Sequence, residues 1–390
     1  MEIRKLTTNA ERLQAEEINS LVFYFPLPEE EKGEEDPGLS IWGALEGDKV
    51  ISTIFVPEYT MNYHGSYLPM FGIGGVGTRA EARNRGYIRK LFYAIFDEMK
   101  ERNYAFSYLY PFSFAYYAKF GYSYAICRMD TTLPTSLLAE CPCTFEASLY
   151  EKGDSHEPYA KVYDAFAKTY TGMVARPDWK RLKDYDAVKK QKFLYLLRKE
   201  GEPRAYLVYT VKRDEHGDQK ATVQDFAWTD VEAMREVFGF LGAQRSHLKA
   251  VHLHTPECLP VTRLFSNPYD VEMQANPFGQ VRIIDLKKAL EGYPWPKEEG
   301  EVQIGVRDDY FADNTGVFTV RFGPEGCKVE KGGHSPQLEL DIRAANPLLF
   351  GSISFDDLAF LPAEQVTVHS GEELLRKIFA KRPTLIADYF

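Results

Sequence analysis

Cysteine is scarce in this chain, and what there is does not pair. The five residues Cys127, Cys141, Cys143, Cys258 and Cys327 are an odd and scattered set. That is no disulfide framework, and it points to a reducing cytoplasm. Long apolar runs are missing too. No stretch approaches the roughly 20 apolar residues that span a bilayer, and Met1-Glu2-Ile3-Arg4-Lys5-Leu6 lacks the core of a signal peptide. A soluble cytoplasmic protein with no membrane span is therefore expected. Positive charge is also short: 47 Lys and Arg stand against 57 Asp and Glu, a net −10. Nucleic-acid binding usually needs a basic excess, so no such partner is expected, whereas the overall field favours a cationic substrate. Metal-ligand clusters are lacking as well. His252 and His254 share one strand face with no third ligand nearby and read as structural hydrogen-bonding groups. Cys141-Pro142-Cys143 has no partner pair and reads as a turn with reduced thiols. No metal is expected.

What is present suits a well-packed protein: 44% hydrophobic and 14% aromatic residues over 390 positions. That length calls for two or three domains rather than one core. The first third alternates strand and helix. Ala10 to Phe23 reads as a helix, followed by an acidic, solvated loop from Pro28 to Gly38. Ser40 to Leu45 and Val50 to Tyr59 read as a hairpin around Glu46-Gly47-Asp48, and Ser66 to Gly77 as a further strand. Tyr104 to Tyr110 is an aromatic strand, and Ser113 to Phe120 a short helix stopped by Gly121. Composition shifts near Pro134 to Cys143. A similar order then recurs: a helix at Tyr159 to Thr169, strands at Ala205 to Val211, Gln219 to Trp228 and Ala250 to His254, and a helix at Val231 to Gly242. This predicts an internal repeat. Lys189-Lys190-Gln191-Lys192 reads as a solvated helix face. A third region begins near Val281, with Gly292 to Lys297 as a linker or entry loop. Strands follow at Gly300 to Arg307, Gly316 to Phe322, Gly326 to Glu330 and Pro336 to Asp341, and helices at Ile342 to Phe350 and Gly371 to Ala380. Leu385 to Phe390 is apolar and strand-like, so a packed C-terminal end is expected.

One stretch carries chemistry. Val76-Gly77-Thr78 ends a strand, and Arg79 to Gly86 is a short basic turn. A helix then opens at Tyr87, with Ile88, Leu91, Phe92, Ile95, Phe96 and Met99 on one face. Strand, glycine-containing basic turn and helix start together place backbone N–H groups and positive charge at one point, as pyrophosphate binding requires. Arg83, Arg85 and Gly86 fit the Arg-x-x-Gly pattern of acyl-CoA enzymes. The other reading is a basic loop opening a surface helix. The second repeat has no such turn between strand and helix.

A second cluster is Pro111 to Tyr122, where a strand exits into a helix bearing Tyr117. Ligands in α/β sheets lie beyond the strand C-terminal ends, and a phenol can protonate a departing thiolate. Tyr117 is also readable as one of 25 core tyrosines. Trp42 and the Phe23-Tyr24-Phe25 cluster are open in the same way, as pocket lining or core.

Taken together, Gly75-Val76-Gly77-Thr78, Arg83-Asn84-Arg85-Gly86 and Tyr117-Ala118-Lys119-Phe120-Gly121-Tyr122 resemble the GNAT N-acetyltransferases, specifically the Eis (enhanced intracellular survival) branch. The total length and the apolar end at Phe390 are similar, and the resemblance covers the whole chain. It implies an α/β (α+β) fold: tandem GNAT-like domains, the second degenerate, then a sterol-carrier-protein-like α+β domain. The boundaries expected are 1–140, 141–285 and 286–390. It implies that acetyl-CoA is the acetyl donor. Val76, Gly77 and Thr78 would bind the pantetheine arm and polarise the thioester. Arg83, Asn84, Arg85, Gly86 and Tyr87 would hold the pyrophosphate. Tyr117 would be the general acid, and the α-carboxylate of Phe390 the general base. The acceptor would be a small primary amine, aminoglycoside or lysine-like, with Asp388 a candidate pocket acid by position. A homo-oligomer, hexameric in the family, is implied as well.

The activity expected is therefore N-acetyl transfer by direct attack of the amine on the thioester. A second reading is a non-catalytic lipid- or small-molecule-binding regulator on a decayed GNAT scaffold. Intact Arg83, Gly86 and Tyr117 argue against decay.

Overall fold

The structure, a computed structural model, describes residues 1–25, 38–151, 153–176 and 192–389. The acidic loop up to Pro37, Lys189 to Gln191 and Phe390 lie outside the described residues. Two compact units are present: Met1–Ile126 with Phe278–Arg382 and the stretch from Asp388, and Cys127–Pro277 with Pro383–Ala387.

The first unit opens with β1 (Glu2–Lys5) and α1 (Asn9–Phe23). Thr8 and Glu11 form a capping box: the Thr8 hydroxyl accepts the Glu11 N–H at 3.3 Å, and the Glu11 carboxylate accepts the Thr8 N–H at 3.2 Å. The antiparallel strands β2 (Leu39–Glu46), β3 (Lys49–Tyr63) and β4 (Ser66–Thr78) follow. The β2–β3 turn is the one the sequence predicts, with Gly47 at φ +61°. Next, α2 (Tyr87–Glu101) crosses over to β5 (Phe106–Leu109), which pairs parallel with β4.

The apolar stripe on α2 explains this crossover. Leu91, Phe92, Ile95, Phe96 and Met99 are buried against Ala44, Ile51, Ile54, Phe71 and Ile73 of the sheet. Burial of each large side chain stabilises by roughly 1.5–3 kcal/mol. Tyr87 is buried with them, while Ile88 is only half-buried. A short helix, α3 (Phe114–Ala118), then leads to β6 (Ser123–Pro134), on which the chain passes into the second unit.

The second unit contains α4 (Thr135–Leu138), β7 (Glu146–Leu149), α5 (Glu157–Ala167), β8 (Phe193–Lys199), β9 (Glu202–Arg213), β10 (Gln219–Trp228), α6 (Val231–Gly242) and β11 (Leu248–Pro256). Its strands run in the order β6-β11-β10-β9-β8-β7. Here β10 and β11 are parallel and α6 connects them, which repeats the β4-α2-β5 arrangement of the first unit. β12 (Glu272–Ile283) leaves this unit, and from Gln280 to Ile283 it pairs antiparallel with β5.

The first unit is completed by α7 (Leu286–Glu291), β13 (Gly300–Arg307), β14 (Gly316–Gly323), β15 (Gly326–Lys331), β16 (Leu338–Asp341), α8 (Ile342–Phe350), β17 (Val366–Val368) and α9 (Glu372–Ile378). Its second sheet has the order β15-β14-β13-β16-β17. Buried Asn346 on α8 ties it to the first sheet, accepting the Ile283 N–H at 2.9 Å and donating to the Gly121 carbonyl at 2.8 Å.

Gly292 to Lys297 is the irregular connection between α7 and β13, and it is well packed. The Trp295 indole N–H donates to Leu290 at 2.7 Å and its ring stacks on Phe322 at 5.5 Å, so aromatic packing overrides the Gly and Pro content. The segment from Leu385 to Tyr389 is not a strand and is packed only in part, with Tyr389 exposed. Thr384 makes one isolated bridge to Thr171, and Leu385 and Ile386 are buried. Among the described residues no helix is long and apolar enough to cross a membrane.

Candidate donor site at the first repeat

The site begins with a fault in β4. Its pairing with β3 runs Ser52–Thr78 and Thr53–Gly77, then jumps to Phe55–Gly74. Two residues, Gly75 and Val76, therefore face one, which is a β-bulge. Gly75 adopts φ +51°, and a Cβ there would lie 2.4 Å from the Phe55 ring. On its other edge β4 pairs with β5 only from Met70–Phe106 to Ile73–Leu109. Beyond Ile73 that edge has no β5 partner. Its backbone groups are open to an amide-bearing chain laid alongside, as in strand addition. Val76 and Thr78 line the gap, and Thr78 is steadied by Ser52 at 2.8 Å. Gly77 faces away: a Cβ on it would meet Ile18 of α1 at 2.7 Å.

The basic turn follows directly. Asn84 and Gly86 both adopt left-handed backbone, at φ +62° and +79°. Gly86 is the N-cap of α2 and supplies no side-chain cap. A Cβ on it would enter open space. The first N–H groups of α2, which have no intrahelical partner, thus face a cavity of about 790 Å³. Arg83, Asn84, Arg85, Gly86 and Tyr87 line that cavity together with Val76 and Thr78. Arg85 donates to the Glu81 carbonyl at 3.1 Å. The Tyr87 phenol donates to the Glu46 carboxylate, a bond that keeps the phenol protonated above its usual range. Arg83 has no acidic partner among the described residues. Helix amides, the α2 dipole and unpaired guanidinium together suit a pyrophosphate.

Tyr117 sits behind the cavity wall. Ser113 caps α3 by accepting the Tyr116 N–H at 3.3 Å, which fixes the helix that carries Tyr117. Phe112, Tyr116 and Phe120 line the cavity itself. The Tyr117 ring packs on Phe112 at 5.4 Å and on Phe92 at 6.2 Å, and it is 3% exposed. Burial pushes its phenol well above the usual tyrosine range, so it carries its proton at neutral pH.

The C-terminal end lies at the same end of β5. Tyr110, just past Leu109, donates its phenol to the Asp388 carbonyl, and its ring packs on Tyr389 at 4.5 Å. Asp388 is buried.

The structure adds residues that sequence reasoning passed over. Arg89, Tyr93 and Lys119 line the cavity, as does Tyr310 from the third region. Arg89 lies on the polar side of α2, Lys119 belongs to the Tyr117-to-Tyr122 motif but is given no role of its own there, and nothing near Tyr310 in sequence marks it. Phe23, left open between pocket and core, is in the cavity wall. Trp42 packs against the core beneath α2.

The second repeat keeps the frame without the site. β10 has its own bulge at Gln224, but α6 starts at Asp230, whose carboxylate accepts the Ala233 N–H at 3.0 Å. An anionic side chain occupies the place a phosphate would take. In the same unit, His252 bonds Thr132 at 3.3 Å and His254 bonds Asp130 at 2.7 Å. Among the described residues no group of three or more His, Cys, Asp or Glu could hold a metal ion.

Comparison with known proteins accords with this geometry. Residues 2–125 match a family described as acetyltransferase (GNAT) domain, and residues 172–283 match a second family of the same description. Residues 286–387 match a sterol carrier protein domain. An uncharacterized N-acetyltransferase of Streptomyces avermitilis is 24% identical over 83% of this chain and 81% of its own. Similar folds are a GCN5-related N-acetyltransferase of Anabaena variabilis (20% identity, TM-score 0.88, 100% of both chains) and Eis1 of Mycobacterium abscessus (20%, 0.83, 100% of both). A probable N-acyltransferase of Enterococcus faecalis is 21% identical with a TM-score of 0.87, over 100% of this chain and 99% of its own. With two GNAT domains and a sterol carrier domain in this order, the chain belongs to the GNAT N-acetyltransferases and has the Eis-like architecture.

Proposed function

We propose that this N-acetyltransferase moves the acetyl group of acetyl-CoA to a primary amine of a small cationic molecule, with aminoglycosides and lysine-like amines as the acceptor class. The observation that carries the reading is one cavity that joins the uncapped start of α2, Arg83 and the open edge of β4, with a protonated tyrosine behind its wall. The residues fit the donor: Arg83, Asn84, Arg85, Gly86 and Tyr87 hold the pyrophosphate, and the backbone of Val76, Gly77 and Thr78 holds the pantetheine arm. The donor supplies an activated thioester carbonyl. The amine lone pair attacks that carbon, an N–C bond forms and the C–S bond breaks. Tyr117 gives its proton to the departing thiolate. The amine must lose a proton to react, and the α-carboxylate of Phe390 takes it; in support, Asp388 and Tyr389 contact Tyr110, just past β5. Domain limits of 1–140, 141–285 and 286–390, a cytoplasmic location and a hexameric assembly complete the proposal.

The experiment is release of CoA thiol across a panel of aminoglycosides, polyamines and lysine analogues, with wild type and Tyr117→Phe. Turnover with several primary amines, nearly abolished in the variant, is expected. No thiol release with any amine, together with tight lipid binding, would favour the non-catalytic reading instead.

A further inference from the structure

The cavity that holds the basic turn and the edge of β4 has further walls that the proposed function does not use. Tyr93, Tyr116 and Tyr310 line it, and so do Arg89 and Lys119. Tyr310 comes from the sterol carrier region, and it is held firmly. Its N–H and that of Phe311 donate to one Asp308 carboxylate oxygen at 3.0 and 3.3 Å. The same oxygen pairs with Arg282 at 2.6 Å, and neither side chain of that pair has exposed surface. The other Asp308 oxygen accepts from Asn314 at 2.9 Å. The turn is therefore fixed before any ligand arrives. At the far end, the Tyr310 phenol donates to the Lys119 carbonyl at 3.0 Å, and its ring lies 5.3 Å from that of Tyr93. The Lys119 ammonium sits 5.8 Å from the Tyr116 ring. Neither Arg89 nor Lys119 has a carboxylate partner among the described residues.

Aromatic faces flanked by unpaired cations are the chemistry that binds a nucleotide: a base has a π-face, and a phosphate takes charge-assisted hydrogen bonds. The donor divides at its pyrophosphate, with pantetheine on one side and a 3′-phosphorylated adenosine on the other. If the β4–β5 gap takes the first, this aromatic and cationic part of the lining is left for the other. We infer that the sterol carrier region completes the donor site: Tyr310, with Tyr93 and Tyr116, stacks the adenine, and Arg89 and Lys119 hold the 3′-phosphate. This assignment rests on acetyl-CoA as donor.

The test measures dissociation constants of CoA, 3′-dephospho-CoA and 4′-phosphopantetheine. Tyr310→Ala is expected to weaken the two nucleotides on the order of tenfold or more, the range of a lost base stack, and to leave phosphopantetheine unchanged. Tyr310→Phe keeps the ring and is expected to bind nearly as wild type. The double change Arg89→Ala with Lys119→Ala is expected to erase the preference for CoA over 3′-dephospho-CoA. Unchanged phosphopantetheine affinity also shows that each variant is folded. Equal weakening of all three ligands by Tyr310→Ala, or of none, overturns the inference. Wild type that binds CoA no better than phosphopantetheine overturns it and leaves the donor reading intact. Wild type that binds none of the three overturns both.

Discussion

Gly86 and Asp230 are N-caps of the equivalent helix in two copies of one motif. Each opens the helix that crosses between two parallel strands, just after a bulge in the first strand. Gly86 leaves the helix amides open to a cavity, and Asp230 closes them with its own carboxylate. The two helix starts thus differ in cap residue and in cap backbone, left-handed at Gly86 and extended at Asp230.

This contrast predicts opposite results for two substitutions. Gly86→Ala must hold left-handed backbone, at a cost of roughly 1–2 kcal/mol, and its methyl would enter the cavity. The KM for acetyl-CoA should rise about tenfold or more, while the KM for the amine changes little. Asp230→Ala removes a helix cap and should cost about 1 kcal/mol of stability, with kcat/KM for the donor unaltered. Steady-state kinetics and urea denaturation read the two effects separately.

Tyr117→Phe should lower kcat on the order of 100-fold or more, the usual contribution of a general acid, with KM for the donor nearly unchanged. Burial raises the Tyr117 phenol above the usual range, so wild-type activity should show no alkaline limb from this group up to about pH 10. A limb near pH 8 to 9 that disappears in Tyr117→Phe would contradict the assignment.

The Arg282–Asp308 pair should be costly to break. Both side chains are fully buried, and the Arg282 Nε and Nη1 have no partner. Asp308→Ala leaves a buried cation unpaired, and about 3–5 kcal/mol of stability should be lost, measured by urea unfolding. The same variant releases the turn that presents Tyr310.

His64 makes stability depend on pH. It is largely buried, and its ring bonds the Leu349 carbonyl at 2.8 Å. Burial, aided by the Arg382 charge, lowers its pKa to about 4. An unfolded histidine titrates near 6.5, so between these values the unfolded chain binds the proton and the folded chain does not. This group's contribution is present in full above about pH 6.5 and is lost as pH falls toward 4, on the order of 3 kcal/mol in all. His64→Gln should flatten that part of the difference between unfolding curves at pH 7 and pH 5.

The parts legible in the sequence are those set by near neighbours. The α2 stripe, the Gly47 turn, the Arg83-to-Gly86 turn and the Ser113-capped helix all follow from spacing and local chemistry. β12 was not legible, because Asn276, Pro277 and Gly279 interrupt its pattern; its place comes from pairing with β5, and Gly279 packs directly on Tyr108. Gly292 to Trp295 read as a linker because its packing partners, Phe322 and Ile378, are distant in sequence. Tyr310 was illegible for the same reason: it reaches the cavity through Asp308 and Arg282, which no local pattern connects. The second repeat's lack of an Arg-x-x-Gly turn was legible, but the Asp230 carboxylate that caps its helix was visible only in the fold.

Calorimetric titration of CoA into wild type and Gly86→Asp tests the central claim most directly, since the variant puts a carboxylate at the start of α2, where the second repeat has Asp230. One CoA per chain in wild type, and binding lost in a Gly86→Asp variant that still unfolds cooperatively with a midpoint a few degrees lower, is the predicted result. Two CoA per chain, or undiminished binding in Gly86→Asp, would contradict a single donor site at the start of α2.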